Sequence, residues 1–538
     1  MLAEPAWAVP SIAEDSGKAY VAARAASISG DHAQAAELYA SLAETSTDGD
    51  LRQKAIFEAI SAGDMQLALR LIRKAPQDRL SIDSKLLLVA DALKRGDSAQ
   101  AVQLLGKTGA GADLSFWVPL IESWIAAERR DEAAAAAVLA RVPRTSAFTP
   151  FVDEQTALIL LKLKKTAEAE PYARRAIGKA GPREYRVRLA LAAGFAAAGD
   201  QVRALAMIEG ISGNTAAIRQ GLVTGAFKSV AIDTVAKAFS EQLIALALEM
   251  RRSPGWPGAP VNIVQVARFA APGNSSAAIL LGAFLADRGR LDDALTAFRS
   301  VAEGDPLNPE ALDAQARALA DAKRYGEALA LANKAASAPG ATSDDFARLG
   351  DIYSSMKRYN EAAGAYRQAF SRAGNAEPAQ LWPLLLLQAN ALEKAGRWPE
   401  AKAALGSAIA LAPDEPLILN FLGYAKLEHG EELDAAEALI RRASELAPDD
   451  ASITDSLGWA LYKRGRVEEA IDVLQKAAVG DPAQAEIQEH LGDALYTAGR
   501  HFEARFAWQA ALATADEEDI ARLTSKIERG LTKETAAP

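Results

Sequence analysis

The sequence predicts an all-α solenoid of about thirteen helix-turn-helix units, and three observations predict it. A pattern of paired amphipathic stretches recurs every 33 to 35 residues along most of the chain. Half of the residues are hydrophobic, chiefly Ala and Leu, yet only 6% are aromatic, which suits many thin helices packed closely. A length of 538 residues also exceeds what one hydrophobic core normally holds, so the core grows by stacking or divides into domains.

In chain order, Ala6, Trp7 and Ala8 form an A-x-A triplet before Val9, Pro10 and Ser11. Residues 1–15 therefore read either as the end of a secretory signal peptide, which places the protein in a bacterial periplasm or envelope, or as an Ala-rich tail of a cytoplasmic protein. Residues 16–218 carry a divergent array. Its turn pairs are Gly30-Asp31, Gly63-Asp64, Gly96-Asp97, Arg129-Arg130, Lys164-Lys165 and Gly199-Asp200, followed at a fixed offset by Ala35, Ala68, Ala101, Ala134, Ala169 and Ala204. Residues 219–274 break the pattern. One helix is predicted over Ile232 to Met250, and the run from Ser253 through Pro254, Gly255, Trp256, Pro257, Gly258 and Ala259 to Pro260 predicts a linker, because such Pro and Gly density opposes a helix.

Residues 275–518 carry seven regular units, beginning at Ser275, Pro309, Ser343, Trp382, Pro416, Ala451 and Ala485. The unit Ala451 to Gln484 shows the logic. Gly458 on the first helix and Ala470 on the second are small enough for close approach. Gly465 tolerates the positive φ of the turn, and Pro482 ends the second helix. The equivalents of Gly458 are Gly282, Ala316, Gly350, Ala389, Gly423 and Gly492; those of Ala470 are Ala294, Ala328, Ala362, Ala401, Ala436 and Ala504. One extra residue precedes Ala436, and five residues including Pro378 interrupt the register before Trp382. In residues 519–538, after the last unit, a capping helix over Glu517 to Arg529 and a tail are expected to cover the exposed end of the stack.

These repeated residues closely resemble tetratricopeptide repeats. The resemblance implies a right-handed superhelix whose concave face, lined by the first helix of each unit, holds a protein or peptide. It also implies that repeat positions 2, 5, 9, 12 and 13 face the partner. On the best-matching units those positions select Asn420, Tyr424, Asp455, Trp459, Tyr462, Lys463, Glu489, Asp493 and Tyr496. Aromatics at helical spacing also suit packing between helices; Trp459 and Tyr424 are expected in the groove. The run Leu419-Asn420-Phe421-Leu422-Gly423-Tyr424, with Ile440-Arg441-Arg442-Ala443, Leu446-Ala447-Pro448-Asp449-Asp450, Asp455-Ser456-Leu457-Gly458-Trp459 and Leu461-Tyr462, is similar to the C-terminal repeats of bacterial envelope lipoproteins. Those proteins act as adaptors for a carboxyl-terminal processing protease, which the similarity implies as a partner. This chain lacks their lipid-bearing Cys.

Charge is distributed unevenly. Pro416 to Glu518 carry 20 Asp or Glu against 9 Lys or Arg, so the formal charge of -10 resides there and a basic partner surface is expected. A sequence pI near 5.3 argues against nucleic acid, and no apolar run is long enough to span a membrane. The pattern predicts no enzyme and no cofactor. The four histidines (His32, His429, His490, His501) form no H-E-x-x-H metal site, and Gly106-Lys107-Thr108 lacks the first glycine of a phosphate loop because Ala101 stands there. Without Cys there is no thiolate site, and pairs such as Glu468-Glu469 are ordinary in acidic helices.

Overall fold

The computed structural model describes residues 11–46, 48–76, 80–106, 114–142, 149–211, 215–225, 230–251, 259–338 and 340–537. The Ala6-Trp7-Ala8 triplet and most of the Pro- and Gly-rich run, residues 252–258, lie outside them. Among the described residues there are thirty α-helices and no strand, and no helix is long and apolar enough to cross a membrane.

Two compact units divide the chain, Met1–Ala341 and Thr342–Pro538. In the first, α1 (Ser11–Ser29) pairs with α2 (His32–Thr45), α3 (Gly49–Ala62) with α4 (Met65–Arg73) and α5 (Ile82–Lys94) with α6 (Ser98–Gly106). The series continues with α7 (Val118–Glu128) and α8 (Glu132–Leu139), α9 (Thr149–Lys162) and α10 (Thr166–Lys179), then α11 (Glu184–Ala197) and α12 (Gln201–Met207). After α13 (Thr215–Thr224) come α14 (Val235–Arg251) and α15 (Ala259–Ala270). Two regular pairs finish the unit: α16 (Ser275–Ala286) with α17 (Leu291–Arg299), and α18 (Asn308–Asp321) with α19 (Tyr325–Ala336).

The second unit holds α20 (Ser343–Ser355) with α21 (Tyr359–Ala373), α22 (Pro378–Lys394) with α23 (Trp398–Leu411) and α24 (Pro416–Glu428) with α25 (Leu433–Leu446). It continues with α26 (Ala451–Lys463) and α27 (Val467–Gly480), α28 (Ala485–Thr497) and α29 (His501–Thr514), and closes with α30 (Ile520–Arg529).

Each pair is drawn together at its small residues. All seven second-helix alanines of the regular units, Ala294 to Ala504, are wholly buried. A Cβ on Gly458 would lie 2.6 Å from Leu474, and one on Gly350 2.6 Å from Tyr366. The turns share one geometry, a residue at positive φ followed by the N-cap of the second helix. In the first unit Gly30, Gly63, Gly96 and Gly199 take the positive φ, and Asp31, Asp64, Asp97 and Asp200 accept a backbone N–H three residues on. The pair expected at Arg129-Arg130 is shifted by one. Arg130 holds φ 59°, Asp131 is the cap, and Ala135 rather than Ala134 is fully buried. In six of the seven regular units an Arg replaces the Asp and reaches the acid three residues on, as in Arg466 to Glu469 at 2.8 Å and Arg397 to Glu400 at 2.7 Å, and in the other Glu432 stands there.

The two interruptions of the regular register are absorbed locally. The extra residue before Ala436 sits in the turn, where Gly430 and Glu432 both have positive φ. The five residues before Trp382 lengthen α22 by about a turn, with Pro378 in its first turn, where a missing N–H costs nothing.

The largest departure concerns residues 219–274. Ala259 and Pro260 open a helix, because proline is tolerated in a first turn. α14 and α15 then pack on each other and on α3, α5, α7 and α9, the first helices of the divergent units. α14 and α15 therefore lie inside the array of the first unit. Asn262 bonds Ser61 at 2.6 Å and Asp83 at 2.9 Å, Glu241 receives Arg186 at 2.7 Å and Asn274 at 2.8 Å, and Phe239 meets Trp117 edge to face at 5.5 Å.

The helix-pair packing predicts opposite effects for two Gly→Ala changes. Gly458→Ala should destabilise the protein by about 1–3 kcal/mol through overpacking. Gly364→Ala, mid-helix with nothing within 4 Å of its added Cβ, should stabilise it by about 0.5–1 kcal/mol. Urea denaturation of both variants measures the difference.

Candidate functional site

The first helices of the second unit are α20, α22, α24, α26 and α28, and of these α24, α26 and α28 stack side by side along its inner face. The nine residues expected to bind a partner lie on three of them, and the structure separates them into three sets.

The first set is consumed by the chain itself. α30 occupies the place of one more first helix, so its basic residues meet the carboxylates of α28. Arg522 donates twice to Glu489, at 2.9 and 2.7 Å, while Lys526 donates to Glu489 at 2.6 Å and to Asp493 at 2.7 and 2.8 Å. Asp493 also accepts the Trp508 indole N–H and the Ala537 backbone N–H, both at 2.9 Å. Burial alone would raise Glu489, but Arg522 and Lys526 hold it below its usual range; burial pushes Asp493 up, and its donors offset only part of that. Tyr496 stacks on His501 at 4.3 Å, and its hydroxyl lies against Gly530, where an added Cβ would clash. Glu489, Asp493 and Tyr496 are thus closed off by the C-terminal segment and do not face a partner.

The second set packs between helices. Trp459 is 1% exposed; its ring stacks on His490 at 4.0 Å and on Tyr462 at 4.8 Å, and its N–H reaches Glu428 at 3.3 Å. The expectation of a groove-facing Trp459 gives way, because its apolar faces are already covered by the neighbouring helix and by its own. Tyr462 shares a hydrogen bond with Thr497 at 3.0 Å, and Lys463 pairs with Glu428 at 3.3 Å.

Asn420, Tyr424 and Asp455 form the third set, which stays on the inner face. Asn420 donates to Ser456 at 3.2 Å, joining α24 to α26. Asp455 is 5% exposed, and one of its oxygens meets His490 Nδ1 at 2.9 Å. Burial raises the Tyr424 hydroxyl pKa far above its ordinary value, with Glu486, Glu428, Asp455 and Glu393 adding to the effect. Glu428 and Glu486 stand at repeat positions 13 and 2 on either side of this set. The position rule used for the sequence could have found them; His490, at an inter-helix position, carried no such signal.

Among the described residues no group of three or more His, Asp or Glu is placed to hold a metal. Lys357, in the first turn of the unit, pairs with Glu518 after α29 at 2.9 Å, so the unit curls enough to bring its first and last repeats into contact.

Two predictions follow from the buried charges. Lys526→Met leaves the buried Asp493 without its cation, while Glu489 keeps Arg522, and should destabilise the second unit by about 3–5 kcal/mol in urea denaturation. For His490, burial alone would lower the pKa, but Asp455, Glu486 and Asp493 outweigh it and hold it above 6.5. A raised histidine pKa stabilises the fold below about 6.5 and loses that contribution as pH rises through the folded value. Stability should therefore fall on the alkaline side of pH 6.5, with a histidine NMR titration midpoint above 6.5. In Asp455→Asn burial dominates, and the trend should reverse.

Comparison with known proteins agrees with this geometry. The tetratricopeptide repeat profiles match residues 267–342, 346–375, 386–451 and 456–520. No curated protein matches the sequence. Among solved structures, the chain is similar to the Cut9-Hcn1 hetero-tetramer of the APC/C at 15% identity, over 97% of this chain and 97% of that one, with a TM-score of 0.38. It is also similar to a tetratricopeptide repeat protein from Parabacteroides merdae at 14% identity, over 46% and 96%, with a TM-score of 0.40. MamA from Desulfovibrio magneticus is 20% identical over 33% and 97%, with a TM-score of 0.27. The matched segments between residues 267 and 520, from the end of α15 through α29, are tetratricopeptide repeats.

Proposed function

We propose that the protein is a non-catalytic tetratricopeptide scaffold that holds a basic segment of a partner protein on the inner face of its second unit. The observation that carries this reading is the contrast between the two inner faces. In the first unit, α14 and α15 occupy the face of the first helices. In the second, Glu393, Tyr424, Glu428 and Glu486 surround a stretch of face where only the C-terminal end is covered, by α30. Carboxylates gathered along one concave wall focus a negative potential that attracts a basic partner and speeds its encounter.

The setting we propose is a bacterial envelope, supported by the Ala6-Trp7-Ala8 triplet. An adaptor role for a carboxyl-terminal processing protease is the narrower form of the reading; it rests on the resemblance of the repeats around Leu419 to Tyr462. Protease accessibility of the full-length protein in intact and osmotically opened cells separates an envelope location from a cytoplasmic one.

In-cell crosslinking of the tagged full chain, followed by mass spectrometry, should recover one protein with a basic surface. Tyr424→Ala with Glu428→Gln should cut that recovery by about tenfold, a loss of roughly 1.4 kcal/mol, and raised salt should weaken the complex. Recovery unchanged by the double substitution removes this face as the binding site.

A further inference from the structure

We propose that Asn420, Asp455 and Glu486 form a pocket on the inner face of the second unit that takes one lysine or arginine side chain of the partner. The inference rests on the scaffold reading above and names the chemistry of its site.

The pocket is defined by acceptors without donors. Asp455 Oδ1 and Asn420 Oδ1 are buried and have no hydrogen-bond partner among the described residues. A buried polar atom left unsatisfied is destabilising, so both favour a ligand that donates. Asn420 Nδ2 bonds Ser456, the residue after Asp455, at 3.2 Å, and Asn420 and Asp455 hold the same repeat position on successive first helices. Glu486 on α28 keeps contact with solvent and adds charge. Desolvation and the nearby Asp455, Glu489 and Asp519 push its carboxyl up, with His490 opposing.

His490 neutralises one oxygen of Asp455 and leaves the other free. An ammonium has three donors and a guanidinium five, which match these acceptors; a metal ion would need a ligand group that the described residues do not form.

The repeat register supplies a precedent inside the same chain. Asp455 and Glu489 occupy the same repeat position on successive first helices, α26 and α28. At Glu489 the donors are Arg522 and Lys526, four residues apart on α30, which also reach Asp493. At Asp455 the next first helix supplies His490, which meets one oxygen and leaves Oδ1 without a donor among the described residues.

Fluorescence anisotropy with labelled hexalysine tests this on the full chain. Wild-type protein should bind hexalysine about tenfold more tightly than the same peptide with every lysine acetylated, since acetylation removes charge and donors. Asp455→Asn with Glu486→Gln should weaken hexalysine about tenfold, whereas Glu468→Gln with Asp472→Asn, an equal charge change on exposed positions of α27, should weaken it less than about twofold. Equal losses in the two double variants, or equal binding of the acetylated peptide, would overturn the pocket in favour of diffuse attraction. Glu486→Gln alone, at a solvent-contacting position, guards against misfolding of the Asp455 variant, and unchanged affinity there also overturns the proposal. A crosslinked partner that survives Glu486→Gln defeats the pocket and leaves the scaffold reading intact; no partner captured by the wild type defeats the scaffold reading.

Discussion

Everything in this protein depends on how closely the two helices of a unit can approach. Small residues at two repeat positions, Gly458 and Ala470 in the clearest unit, let one helix lie against the other, with Leu474 filling the space a Cβ would take. That contact fixes the spacing and tilt of each pair. Once it is fixed, every first helix presents the same positions to the same side, and residues 34 apart in sequence become neighbours on one face. Position 8 is not invariant in composition, since Ala316 and Ala389 serve in two units, but it is always small.

The turns solve a second constraint with two chemistries. A residue at positive φ reverses the chain, and the next residue must satisfy the free N–H groups of the helix that follows. The divergent units mostly use an Asp cap. Six of the seven regular units use an Arg that pairs with an acid in the first helical turn, an exposed arrangement worth about 0–1 kcal/mol apiece. Its value lies in orienting the turn, and it consumes arginines that would otherwise offset the acidity of the surface.

A stack of helices leaves open an inner face and an end, and the two units treat them differently. α14 and α15 fill the inner face of the first unit with apolar contacts and a buried polar network, so that face is core. In the second unit the end is sealed by α30, whose Lys526 is wholly buried between Glu489 and Asp493. A buried ammonium persists only where carboxylates surround it, which ties the C-terminal segment to the last repeat. The same demand, one repeat earlier, is left unmet at Asp455.

Much of the fold was legible in the sequence. The period, the small residues and the turn glycines each follow from local geometry, and a helix pair of about 34 residues needs no distant information to be recognised. Even the errors were local: Arg130 for Arg129, or a helix begun at Pro260, where a first-turn proline reads like a break. The candidate site was legible only as a set of positions. Those positions contained Asn420, Tyr424 and Asp455, and equally Glu489, Asp493 and Tyr496.

What separated them was which side chains the rest of the molecule already covers. The sequence by itself determined the repeat, its register and the acidity of the last units, because these are encoded within each unit. Only the tertiary structure decided that α14 and α15 lie against the first helices of distant units, that α30 closes the last repeat, and that one oxygen of Asp455 has no donor among the described residues. Those outcomes depend on contacts between units, and a motif that repeats identically carries no information about where its own chain will fold back to meet it.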